Sequence, residues 1–304
     1  MKKIIVLIFA VSMVLACKSP PPPPPADMEN PNTVPEIAVT IPELFSPDPD
    51  VVDDTMTIGI AITHPVPIKN WAIEINRRVG GQTGQARQAT QSTGRASRNE
   101  RNRRRGFFEL TGTGTPPAEW KWNGKGTSGE MVQSATDYTF TLSVNDVFDN
   151  NAVYEGVISV DVLVIRDGDA LRMIVPSIVF PANSADLTRV TEEETRVNTR
   201  VLRLIANALN KFADYKVLVE GHANPTTPAG AKRDAEEKGS AKELGLQPLS
   251  ESRAKAVVDY LVANNGIDKE RLSSVGMGGT RTVADYKDEE ENWKNRRVEF
   301  ILNK

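Results

Sequence analysis

The sequence predicts two domains of different class: an all-β sandwich over residues 36–172, then an α/β sandwich of order β-α-β-α-β-β over residues 173–304. Three observations carry this. Apolar residues in the first part alternate with period two in several short runs. From Met173 the spacing changes to short apolar runs separated by helical three-and-four patterns. Finally, Cys17 is the one cysteine in 304 residues, so no intrachain disulfide can form and each part must rest on its own core.

In the first part, Met56, Ile58, Ile60 and Ile62 alternate with Thr57, Gly59, Ala61 and Thr63. Trp71, Ile73 and Ile75 repeat the pattern, as do Trp120 and Trp122 before an Asn123-Gly124 turn, and Tyr138, Phe140, Leu142 and Val144. Short strands separated by turn signals predict a sandwich with the aromatics as core. Asp167-Gly168 predicts a tight hairpin joining Val157–Ile165 to Leu171–Val175 within it. Gly80–Gly106 interrupts the pattern with no large apolar residue, and Arg77 to Arg105 holds nine arginines against the single acid Glu100. Such a stretch cannot bury enough surface to fold and predicts a disordered surface insertion or an anion-seeking arm. Asp48, Asp50, Asp53 and Asp54 offer either a calcium cage of carboxylates or a solvated turn.

In the second part, Ile178-Val179-Phe180 predicts a buried strand. Val197, Val201, Leu204, Ile205, Ala208 and Phe212 predict a helix led by the acids Glu192–Glu194, which suit the positive end of its dipole. The organising stretch is Lys216–Leu261. Val217-Leu218-Val219 reads as a strand covered on both faces, Gly221 lets the chain leave the sheet, and Asn224-Pro225 forces a turn. Ser250 is the predicted N-cap of the next helix, whose apolar face is Ala254, Val257, Val258 and Leu261. Asn264-Asn265-Gly266 closes it, and Leu272–Gly276 and Arg297–Leu302 complete the sheet. Pro225–Pro248 between strand and helix is long and charged, with Lys232, Arg233, Glu236, Glu237, Lys238 and Lys242 predicting a charged helical turn. Arg253 falls in the predicted first turn, where the dipole disfavours a cation. It is either a solvated arginine paired with an acid or an anion receptor aimed, with free helix amides, at a carboxylate near Asn224.

Lys2-Lys3 and thirteen uncharged, mostly apolar residues (Ile4–Ala16) predict a removable export signal over residues 1–16. Cys17 borders a polar tract, so it is not a core thiol. Residues 17–35 form a spacer whose run Pro20–Pro25 is a polyproline II rod of roughly 19 Å, at about 3.1 Å per residue. Losing the two lysines moves the formal charge from −3 to −5. A mildly acidic chain argues against nucleic acid as partner.

Two sets of motifs resemble known families. Gly221-His222-Ala223-Asn224, then Leu249-Ser250-Glu251-Ser252-Arg253-Ala254, then Asn295-Arg296-Arg297-Val298-Glu299 resemble the OmpA-like peptidoglycan-binding domain, in that family's order. The resemblance implies non-covalent grip on the diamino acid of the peptidoglycan stem peptide, with Arg253 as the family's arginine and Asn224 at its acid. Arg296, Asn295 and Asn183 complete the candidate ligand set; a structural arginine clamping the sheet end is the other reading of Arg296. An amide in place of the acid replaces a charge-assisted bond with a neutral one, about 1–1.5 kcal/mol or roughly tenfold in affinity. Pro181 and Leu246 also depart from the family's polar residues. Val14-Leu15-Ala16-Cys17 resembles a bacterial lipobox, implying acylation of Cys17, and Lys18 in place of the retention aspartate implies an outer-membrane address. Phe45–Asp50, Asp53-Asp54-Thr55 and Trp122–Lys125 resemble the immunoglobulin-like module of flagellar hook-cap proteins.

Together these imply a non-enzymatic lipoprotein joining the outer membrane to peptidoglycan, without an organic cofactor. The alternatives are a surface adhesin using the sandwich and its arginine-rich insert, and a wall hydrolase. The hydrolase would have to work with His64 and His222 alone, and His222 is expected to hydrogen-bond its turn.

Overall fold

A computed structural model describes residues 28–47, 54–78, 106–240, 244–289 and 291–304. The export signal, Cys17, the proline run, the insert up to Arg105, and Asp48, Asp50 and Asp53 lie outside the described residues. No helix among the described residues is long and apolar enough to cross a membrane.

The first part is two antiparallel sheets sharing one core. One sheet has the order β1-β2-β5, from Glu36–Thr40, Met56–Thr63 and Glu119–Trp122. The other has the order β4-β3-β6-β7, from Phe108–Thr113, Ile68–Arg77, Asp137–Asp146 and Asn151–Ser159. The period-two reading holds residue by residue in β6, where Tyr138, Phe140, Leu142 and Val144 are all fully buried while their neighbours are not. They meet Met56, Ile58, Ile60 and Trp122 from the facing sheet, and each large side chain so buried contributes about 1.5–3 kcal/mol relative to exposure. Trp122 is fixed at both ends: its indole N–H donates to the Lys125 carbonyl at 2.9 Å, and Gly124 turns the chain at φ 76°.

The second part is a five-stranded sheet of order β11-β10-β12-β9-β8. Its strands are Val164–Asp167 (β8), Ala170–Val175 (β9), Lys216–Gly221 (β10), Leu272–Gly276 (β11) and Val298–Asn303 (β12). Only the β10–β11 pair is parallel. Helices α1 (Glu192–Lys211) and α3 (Leu246–Asn265) cover one face, burying Val201, Leu202, Ile205, Leu209, Ala254, Val257 and Leu261 against Met173, Val175, Val217, Val219, Phe300 and Leu302. The charged insert forms the short helix α2 (Ala231–Lys238).

Local chemistry sets these boundaries. Thr191 and Glu194 make a reciprocal capping box at the start of α1. At its other end the Arg271 guanidinium donates to the Leu209 and Phe212 carbonyls, which also accept from the Phe212 and Tyr215 amides as the chain leaves the helix. Gly266, at φ 68°, is the left-handed residue that ends α3.

Three expectations are corrected. The Asp167-Gly168 hairpin forms, but β8 and β9 extend the second sheet through β9–β12 pairing rather than closing the sandwich, so the boundary falls before Val164 and not at 172/173. Ile178–Phe180 is not a strand: both backbone groups of Val179 are satisfied by the Asn198 side-chain amide, at 2.8 and 2.9 Å, which stands in for a neighbouring strand. Helix α3 starts at Leu246 with Gly245 as N-cap, so Ser250 is inside it. The Ser250 hydroxyl is fully buried, donating to the Gln247 carbonyl and accepting from the Gly278 amide at 2.8 Å.

The two parts are fastened at the 134–137 corner of the sandwich. Ala135 and Val162 are buried in the second core, Ser177 Oγ donates to the Ala135 carbonyl at 3.1 Å, and Arg200 of α1 pairs with Asp137 at 2.8 Å.

Candidate functional site

The site is built at the end of the second sheet where β9 and β10 stop and β12 begins, since Val298 pairs with both Val175 and Gly221. Helix α3 reaches this end because residue 221 has no side chain: a Cβ there would lie 2.1 Å from the Ser250 carbonyl oxygen. That close approach places Arg253 two turns into the helix. It lies beyond the first turn, so the helix dipole has little effect on it.

Arg253 does not point at the Asn224 turn. Its Nε donates to the Ser184 carbonyl at 2.9 Å and an Nη to the Pro181 carbonyl at 3.0 Å, with the Phe180 ring 5.1 Å from the guanidinium carbon. Burial, then the nearby charge of Arg296, lowers its pKa to about 10, so it stays cationic at neutral pH. Arg296 is exposed and has no side-chain partner among the described residues. Asn183 is exposed in the turn that Arg253 holds, with left-handed backbone at φ 52°. Arg253 and Arg296 line the same cavity, of about 650 Å³, to which the sandwich also contributes Arg77 and Asp137.

Asn224 and Asn295 are engaged elsewhere. Asn295 is fully buried and uses all four of its hydrogen-bonding positions: Oδ1 accepts from the Val283 and Ala284 amides at 2.7 and 3.0 Å, and Nδ2 donates to Asn224 Oδ1 and the Ala284 carbonyl at 2.8 and 3.0 Å. Asn224 Nδ2 donates to the Pro225 and Tyr286 carbonyls at 3.1 and 3.2 Å. The pair is a latch between loops, and neither residue lines the cavity. The insert packs beside it. Glu236 accepts from the amides and hydroxyls of Thr226 and Thr227, and its pKa is lowered: burial raises it, but the four hydrogen bonds outweigh that.

On the sheet face opposite the helices, His222, Glu220 and Glu299 are buried together, with potential metal-ligating atoms within 4.8 Å of one another. A divalent cation does not suit this group, because guanidinium groups already neutralise it. Glu299 pairs with Arg297 at 2.6 Å and Arg172 at 2.5 Å, and Glu220 with Arg281 at 3.2 Å. His222 Nε2 lies 3.5 Å from Glu220 and its ring has no hydrogen-bond partner among the described residues, which corrects the expectation that it bonds the turn. Burial first, then Arg297, lowers its pKa to about 4, so the ring is neutral at neutral pH. Of the four aspartates weighed for calcium, only Asp54 is described.

The sequence reading found Arg253 and Arg296 through their motifs. It missed Phe180 and Trp293, which line the same cavity, and all of the residues that the sandwich contributes to its wall. An apolar residue before a turn carries no signal of its own, and the sandwich residues arrive only through the docking of the two parts.

Residues 179–296 match the sequence profile of the OmpA family. Peptidoglycan-binding protein ArfA of Mycobacterium tuberculosis (strain ATCC 25618 / H37Rv) is 32% identical over 103 residues, which is 34% of this chain and 27% of that protein. Outer membrane porin F of Pseudomonas aeruginosa is 37% identical over 91 residues, 30% of this chain and 25% of that protein. The match thus spans about a quarter of the length of these curated relatives. Among solved structures, the cell wall anchor of the T6SS from Pseudomonas aeruginosa is 28% identical, with a TM-score of 0.36 over 47% of this chain and 87% of that one. The C-terminal part of the chain, over residues 179–296, is an OmpA family domain.

Proposed function

We propose that the chain is a non-enzymatic lipoprotein of the cell envelope that holds peptidoglycan non-covalently in the cleft at Arg253 and Arg296. In this reading Cys17 is acylated in the outer membrane, residues 17–35 space the folded part from it, the sandwich is immunoglobulin-like, and both domains face the periplasm. Retention requires hydrogen-bond donors for a stem-peptide carboxylate and no chemical step. The observation that carries the reading is the meeting of two guanidiniums from two separate family motifs in one cavity, where the charge of Arg296 adds to the cost of keeping the buried Arg253 cationic. An anion bound between them relieves that cost. The Phe180 ring and the carbonyls of Pro181 and Ser184 fix the Arg253 fork, and Asn183 stands on the same turn. Asn224 and Asn295 shape the neighbouring loops and do not contact the ligand.

Sedimentation with purified sacculi tests this. Replacing a charge-assisted contact should lower retention about tenfold in Arg253→Ala and by a smaller factor in Arg296→Ala. Melting curves run in parallel establish that each variant is folded, which matters most for Arg253 because of its two carbonyl bonds. Unchanged retention in both folded variants would refute the assignment.

A further inference from the structure

The cavity holding Arg253 and Arg296 is not made by the OmpA family domain alone. The end of β3 and the segment after it bring Arg77 and Arg78 of the sandwich into its lining. Their position is set by packing: the Arg77 guanidinium lies 3.4 Å from the centroid of the Trp293 ring, and the Arg78 amide donates to the Asp137 carbonyl at 2.9 Å. Asp137 in turn holds Arg200 of α1. Most guanidiniums around the cavity are therefore committed. Arg77 stacks on an indole, Arg200 and Arg297 are ion-paired, and Arg253 takes two carbonyls. Arg78 and Arg296 are both exposed, and neither side chain has a partner among the described residues. One comes from each domain, and they line one cavity.

The acids there cannot balance this charge. Asp137 is engaged by Arg200 and by the Ser159 hydroxyl, and Glu193 by Arg196 at 3.5 Å. The family's amine-receiving position, Asn224, is turned away into its latch with Asn295. The cavity therefore offers cationic donors from both domains and no uncommitted carboxylate for an ammonium among the described residues.

We propose that the sandwich is part of the ligand site, and that the cleft takes a stem peptide carrying two free carboxylates, one held from the Arg253–Arg296 side and the other by Arg78. This rests on the proposed murein-binding function and deepens it. It assigns the sandwich a recognition role and makes the amidation state of the wall peptide the feature that is read.

The test uses the full chain with two soluble muropeptides that differ only in whether the second carboxylate is free or amidated. Affinities are measured by calorimetry for wild type, Arg78→Gln and Arg296→Gln. Wild type should favour the free dicarboxylate about tenfold, as expected for one charge-assisted contact. Arg78→Gln should erase that preference, and Arg296→Gln should weaken both peptides while keeping it. If wild type binds the two peptides equally, or if Arg78→Gln keeps the full preference, the sandwich has no part in recognition although murein binding stands. If wild type binds neither peptide and sacculi do not retain it, the underlying function falls as well.

Discussion

Two clusters at the same end of the second sheet use polar side chains in opposite ways. Around Asn224 and Asn295, amides face amides and loop backbone, and every position on Asn295 is filled. Around Arg253 and Arg296, two cations share a cavity and one of them has no partner among the described residues. The first arrangement is complete in itself, and a completed buried network fixes structure. In the proposed function the second is completed by an anion. On that reading the family motifs separate into a half that fixes loops and a half that binds.

The comparison breaks most easily where both clusters depend on one close approach. Gly221→Ala puts a methyl group against the Ser250 carbonyl, and α3 cannot retreat without moving Arg253. We expect a loss of about 3 kcal/mol or more in urea unfolding, with murein retention falling alongside. The neighbouring His222 gives an effect of similar size that depends on pH. Its folded pKa of about 4 lies below the ordinary 6.5. Between those values the unfolded chain takes up a proton that the folded chain refuses, so stability falls as pH drops from 6.5 through 4. The loss is on the order of 3 kcal/mol. His222→Asn should flatten that part of the stability–pH curve.

Smaller effects sharpen the contrast. Asn295→Ala strands the Val283 and Ala284 amides and should cost about 2 kcal/mol in denaturant melts, with retention per folded molecule unchanged. Asn224→Asp restores the family's acid but turns an oxygen toward the Pro225 and Tyr286 carbonyls. It should lower stability by about 1–2 kcal/mol without tightening murein binding.

Much of this was readable from local pattern. The alternation in β6, the acids in the first turn of α1, the Gly266 stop and the motif arginines all reflect chemistry within a few residues. What was misread depended on distant partners. Ile178–Phe180 has the apolar run of a strand, yet its hydrogen bonds come from Asn198. Ser250 has the chemistry of a cap, but Gly245 starts the helix earlier, and Pro248 is tolerated in its first turn because its missing amide would have no helical partner. The β8–β9 hairpin was located, but the sheet it joins is decided by β12, more than a hundred residues on. Arg77 and Arg78 looked like the start of an arginine-rich insert, and only domain docking brings them to the cleft.

The central claim is that the arginine cleft, and not the asparagine latch, holds murein. Sacculus sedimentation of Arg296→Ala beside Asn224→Ala, each corrected for its folded fraction, tests this most directly. The account predicts a loss of roughly fivefold for Arg296→Ala and none for Asn224→Ala. Loss in Asn224→Ala with full retention in Arg296→Ala would contradict it.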